Sequence, residues 1–195
     1  MDIRKIASKD DEERKKKRNQ WIVGIILLVI MVLSTVGYSF SGGERNNNNP
    51  GKINYNGFIF QKSGDLWYLD INKNQFTFQY NPKETENIEQ DKLKKLNDYS
   101  NKPLYIYSEN ELATQEIYKN IGNFVQRMQP ACLDKQSCNE DYPIKDCSNN
   151  FIIIKSAENS SSSIKQNGSC VYIQSSEENI IKTSDEFLFN IIGVK

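Results

Sequence analysis

The chain has 195 residues, with 25 basic and 25 acidic side chains and no histidine, which leaves room for one modest globular domain plus flanking segments. The missing histidines exclude Ser-His-Asp and Cys-His nucleophilic catalysis, and with them histidine-ligated zinc or haem. A formal net charge of zero gives no nucleic-acid footprint over the whole chain, so no nucleic-acid partner is expected.

From Asn19 to Gly43 no side chain is charged. Within this stretch Trp21 to Phe40 is apolar, about 20 residues or roughly 30 Å of helix, the thickness of one bilayer core. Trp21 opens the run and Tyr38 and Phe40 close it, as aromatic anchors do at the two interfaces. Residues 1–20 hold eight Lys/Arg against five acids, whereas the nearest cations beyond the run are Arg45 and Lys52. The positive-inside bias makes 1–20 a cytoplasmic basic tail, 21–40 a single-pass transmembrane helix, and places the rest outside the cell. The bilayer is then the first partner. A cleaved signal peptide with its apolar core at Ile22 to Leu33 is the alternative.

Ser41 to Gly51 is a polar spacer, so 41–54 reads as a flexible linker and 55–195 as the extracytoplasmic globular domain. Gly57 to Gln61, Leu66 to Ile71 and Phe76 to Tyr80 are aromatic-rich strands joined by turns at Ser63-Gly64-Asp65 and Asn72-Lys73-Asn74. Connections this short predict an antiparallel three-strand meander. A short charged helix is expected around Ile88 to Leu96, and a strand at Leu104 to Tyr107. Ser108-x-x-Glu111 is a capping box. Ala113, Ile117, Ile121, Phe124 and Met128 follow at three- and four-residue steps, predicting an amphipathic helix from about Glu109 to Met128 that Pro130 ends. Phe151 to Ile154 reads as a buried strand. Ser163 to Gln166 and Cys170 to Gln174 flank an Asn167-Gly168 hairpin turn. A second capping box, Thr183 to Glu186, opens a final helix with Gly193 at its C′ position. The fold class is α+β (mixed α/β): the meander, then β-α-β-β-β-α.

Asn56-Gly57-Phe58, Leu66-Trp67-Tyr68, Tyr80-Asn81-Pro82, Ala131-Cys132, Asp146-Cys147, Ser169-Cys170-Val171 and the helix from Leu188 to Gly193 together are similar to an uncharacterised family of single-pass, membrane-anchored proteins from small-genome archaea. The likeness spans most of residues 55–195. It implies an anchored extracytoplasmic domain and no particular activity.

Cys132, Cys138, Cys147 and Cys170 all fall on the outer side, where an even number of cysteines forms disulfides. The favoured pairing is Cys132–Cys138 and Cys147–Cys170, of three connectivities. A four-thiolate zinc site would need cysteine pairs two to four residues apart, and none is present. Ser162-x-x-Lys165 with Lys182 is the one Ser-Lys arrangement, and it lacks the partner motifs of penicillin-binding enzymes. Asp65, Asp70, Glu109, Glu111 and Glu116 are the carboxylates that could converge. Asp134, Glu140, Asp141 and Asp146 lack the spacing of a calcium loop. No Gly-rich phosphate cradle occurs, so no cofactor is expected. Asn159 and Asn167 begin Asn-x-Ser glycosylation acceptors. The leading expectation is a non-catalytic, anchored binding or scaffold module that contacts another envelope protein or a surface polymer. Its alternative is a small anchored hydrolase using carboxylates or a Ser-Lys pair.

Overall fold

The structure, a computed structural model, describes residues 20–31, 51–85, 88–136, 138, 141–156 and 161–195. The chain divides into two compact units, 1–46 and 47–195. In the first, residues 20–31 form helix α1, whose apolar side chains are exposed all around it, Trp21 at 76% and Met31 at 71% among them. Among the described residues no helix is long and apolar enough to cross a membrane. Residues 32–40, the second half of the span expected at 21–40, lie outside the described residues.

In the second unit, strands β1 (Lys52–Tyr55), β2 (Phe58–Ser63), β3 (Leu66–Ile71) and β4 (Asn74–Phe78) form an antiparallel meander. It has four strands, one more than the sequence suggested. The additional β1 lies mostly in the stretch read as linker, and pairs with β2 through Lys52↔Gln61 and Tyr55↔Phe58. The hairpin joining them turns at Asn56-Gly57, both at positive φ (49° and 85°), which is the type I′ turn that suits strand twist. Alternation along the strands buries Phe60, Trp67, Leu69, Phe76 and Phe78 on one face and leaves Ile59 exposed.

The second sheet has six strands in the order β5-β9-β10-β8-β6-β7. They are β5 (Glu89–Gln90), β6 (Pro103–Ser108), β7 (Arg127–Pro130), β8 (Phe151–Ser156), β9 (Ser163–Asn167) and β10 (Cys170–Ser175). All neighbours are parallel except the β9–β10 hairpin. Helices α2 (Leu96–Tyr99), α3 (Glu111–Ile121) and α4 (Ile180–Ile191) complete the unit. Helices α3 and α4 lie between the sheets. Phe189 of α4 meets Phe60 edge-on at 5.6 Å and Phe78 at 4.6 Å, while α4 also packs on β10 and α3 on β6. One apolar core therefore runs from the meander through both helices to Leu104, Ile106, Ile152, Ile154, Val171 and Ile173.

Parallel strands ordinarily need cover on both faces. Here the second face of the mixed sheet carries a smaller cluster of Tyr105, Phe151, Ile153 and Cys170, packed against Ala131, Leu133 and Cys147. The cover comes from the cysteine-bearing segment after β7, tied down by Cys132–Cys138 and Cys147–Cys170 with Cα separations of 5.6 and 4.8 Å. A parallel bridge, Cys132↔Ile144, fastens the segment to itself.

Five local expectations are corrected. The helix expected at Ile88–Leu96 is absent: Glu89–Gln90 pair with β9, and only the turn Leu96–Tyr99 is helical. Helix α3 ends at Ile121 rather than Met128, because 127–130 find parallel partners along β6 and Phe124 leaves the helix to stack on Phe76 at 5.7 Å. Its N-cap is Asn110, whose side chain accepts from the Ala113 N–H at 2.9 Å, while Ser108 folds onto Asn110 in a local turn. Helix α4 starts at Ile180, so Thr183 and Ser184 are interior and donate back to the carbonyls of Asn179 and Ile180. The last hairpin turns at Gly168-Ser169, since Asn167 still pairs with Cys170. Positive φ at Gly168 alone (59°) is the type II′ pattern. Gly193 does occupy C′ of α4 at φ 85°. The Gly193 and Val194 N–H groups donate to Asn190 and Phe189, a complete Schellman motif.

Candidate functional site

Two polar arrangements stand out, one sealed in the core and one open at a sheet edge. The sealed one joins α3 to α4. Glu116 and Asp185 are 2% and 0% exposed. Asp185 Oδ2 accepts from the backbone N–H groups of Gln79 (3.1 Å) and Tyr80 (2.8 Å) as the chain leaves β4. Glu116 Oε2 takes the Lys119 ammonium at 2.8 Å. The remaining oxygens, Asp185 Oδ1 and Glu116 Oε1, have no donor while both groups are ionised. A proton held between the two carboxyls satisfies both at once. Burial, then the Glu116 charge and its hydrogen bond, raise the Asp185 pKa well above the usual carboxylate range. The sequence reading named Glu116 but missed Asp185, which it absorbed into a capping box. The signal was present: Asp185 sits with Ile181, Leu188 and Phe189 on the apolar stripe of α4.

The other expected carboxylates do not converge on this pair. Asp70 accepts from Gln75, Glu109 from the Tyr107 hydroxyl and Glu111 from Gln115, each at the surface. The Ser-Lys arrangement separates too. Ser162 stands just before β9, and Lys165 is an exposed residue inside it. The Ser162 hydroxyl is 2.6 Å from that of Ser175, although Ser162 and Lys182 both border a shallow surface depression with Glu84 and Glu89. All four cysteines are in disulfides, and among the described residues no group of three or more Cys, Asp or Glu could hold a metal. Glu140 and Asn159 lie outside the described residues. Asn167 is exposed beside the last hairpin turn.

The open arrangement is a surface cleft of about 350 Å³, lined by Lys94, Lys102, Tyr105, Asn149, Asn150 and Ser169 among others. It lies at the N-terminal ends of β6, β8 and β10. Its floor is Tyr105, 5% exposed. Arg127, at the start of β7, donates to the Tyr105 hydroxyl at 3.2 Å, and the Lys145 ammonium stands 4.5 Å from the ring centroid. These two cations lower the Tyr105 pKa, the Arg127 hydrogen bond first. In the lining, Lys94 Nζ donates to Ser169 Oγ at 2.8 Å. Lys102 Nζ reaches the Asp98 carbonyl at 2.9 Å.

Among the described residues none of these four cations has a carboxylate partner; the ion pairs there are Lys119–Glu116 and Lys195–Glu186. Asp146, which precedes the Ser148–Asn150 rim, is occupied by the Ser148 hydroxyl and N–H and the Asn149 amide, which hold its pKa down.

The Cys147–Cys170 bond builds the cleft wall. It links the segment before Ser148–Asn150 to the strand after Ser169, and Ser169 N–H donates to the Cys147 carbonyl at 3.1 Å. Phe151 N–H donates to Ser169 and Tyr105 N–H to Asn150, so both walls are in register with the floor. Gly168 permits the approach, because a Cβ there would lie 3.3 Å from the Cys147 carbonyl. Sequence reading recognised the disulfide but not the cleft, whose cations lie in four separate segments. No protein-family model, no curated protein and no solved structure matches this chain.

Proposed function

We propose that the chain is a non-catalytic binding module held outside the cell by its N-terminal helix, presenting the Tyr105 cleft to a polymer or protein of the cell envelope. The observation that carries this reading is the cleft itself: Lys94 and Lys102 line it, Arg127 and Lys145 contact its tyrosine, none of the four has a carboxylate partner among the described residues, and one wall is fixed by a disulfide. Two disulfides suit an oxidising, extracytoplasmic compartment. Helix α1 is apolar on every side, as a membrane span is. The sequence stays uncharged to Gly43, long enough for a span with its basic flank inside. The similarity to anchored archaeal proteins belongs to the same reading.

Orientation and partner are tested together. After mild reduction, a membrane-impermeant maleimide should label the chain on intact cells. Labelling only after lysis would overturn the external placement. In-cell crosslinking through residues introduced at the cleft rim should then capture an envelope component, and repeated failure to do so counts against a binding role.

A further inference from the structure

The geometry points to the Tyr105 cleft as a site for a tetrahedral oxyanion, a sulfate or phosphate ester carried on a surface polymer, with Lys94 and Lys102 in its lining and Arg127 and Lys145 adding positive charge at its tyrosine. The inference rests on the binding-module reading and names its ligand chemistry. Lys94 and Lys102 in the lining and Arg127 and Lys145 on Tyr105 are like charges, which repel one another unless an anion enters. An ester oxyanion supplies that charge and accepts from several directions at once.

The donors approach from different walls. Lys94 and the Ser169 hydroxyl stand on one side, already 2.8 Å apart. Lys102 enters beside Pro103 at the start of β6. Arg127 and Lys145 come from the strand edge and the cysteine segment and meet at Tyr105. A planar carboxylate is matched by one bidentate guanidinium, whereas donors that come from separate segments suit an anion with three peripheral oxygens.

Tyr105 adds a further donor. Its oxygen accepts from Arg127, which leaves its own O–H proton to donate elsewhere. The Ser148–Asn150 segment gives hydroxyl and amide groups at the rim, the parts of a site that contact a sugar backbone rather than its charge. Lysine on such a site acts as a point charge and arginine as a fork, so one site holds both long-range attraction and orientation.

The test measures retention of the full-length chain, in detergent micelles, on four immobilised polymers: dextran sulfate, poly(glycerol phosphate), polygalacturonate and neutral dextran. Dextran sulfate or poly(glycerol phosphate) should bind most tightly, and the stronger of the two identifies the ester. Binding should weaken steeply with salt. Arg127→Ala and Lys102→Ala, both at exposed positions, should each weaken it by about tenfold or more. Lys52→Ala, on the distant meander, should leave it unchanged. Because a basic surface can retain any polyanion, equal loss with Lys52→Ala would overturn the inference. So would tightest binding to polygalacturonate or to neutral dextran, and in both cases the module reading survives. Retention on none of the four with a captured envelope protein overturns only the oxyanion site; retention on none with no captured partner removes both.

Discussion

Asp185 illustrates how a single buried carboxyl couples stability to pH. The groups acting on it are Glu116 and Lys119 from α3 and the N–H groups of Gln79 and Tyr80 after β4. Its folded pKa is raised, so the folded state holds a proton that the unfolded state releases at lower pH. The corresponding stability is complete below the unfolded aspartate value and is lost as pH climbs through the folded one. Melting temperature should therefore fall with rising pH above the ordinary aspartate range. Asp185→Asn supplies a permanent N–H toward Glu116 Oε1 and keeps an oxygen for the two backbone donors. That variant should show a flatter profile across the same window. Thermal scans at a series of pH values check it, and an unchanged slope would mean that the pair does not share a proton. Asp185→Leu should instead cost about 3 kcal/mol or more, since it strands Glu116 and two backbone N–H groups.

At the scale of elements, caps discriminate between what the sequence suggested and what the fold uses. Asn110→Ala removes the acceptor for the Ala113 N–H and should cost about 1 kcal/mol in urea unfolding. Glu111→Ala, which would abolish a Ser108 capping box, should cost only about a few tenths of a kcal/mol, because Glu111 reaches forward to accept from Gln115. Gly193→Ala forces an alanine to φ 85° at the Schellman turn and should cost about 1–2 kcal/mol. The strands with period-two aromatic patterns were legible in the sequence, since local alternation and turn chemistry decide them. The elements that failed are those decided by distant partners. β5 and β7 are short and polar, and exist because β9 and β6 offer free edges. β1 was hidden by its polar neighbourhood, although Asn56-Gly57 is as good a hairpin signal as any in the chain. Helix α3 lost its last two turns to β7 for the same reason: Phe124 and Met128 satisfy a helical period as well as the packing they adopt. The cleft was illegible because Lys94 and Lys102 share a lining with Tyr105, and Arg127 and Lys145 reach that tyrosine, only once the strands and a disulfide are in place.

Across the whole molecule, the two faces of the mixed sheet are stabilised differently, and the disulfides follow that asymmetry. One face has two helices and a second sheet against it. The other has a small cluster and an irregular segment, which buries too little apolar surface to be fixed by packing alone. Cys147–Cys170 closes a sequence separation of 23 and Cys132–Cys138 one of 6. Loop-closure entropy makes the longer bridge worth about 1 kcal/mol more in the unfolded-chain account. The longer bridge also joins the cleft wall to β10, whereas the shorter one closes within its own segment. Cys147→Ser should therefore lower the melting temperature of the full-length chain more than Cys138→Ser, with a cost of about 2–5 kcal/mol for the former. The two losses should also separate at the cleft. Without the Cys147–Cys170 bond the Ser169 wall is held only by backbone hydrogen bonds, so dextran sulfate retention should fall at temperatures where the fold is intact. Cys138→Ser should keep that retention. Equal effects of the two substitutions on both melting and retention would mean that the cysteine segment behaves as one rigid cover, and that the longer disulfide has no special part in shaping the cleft.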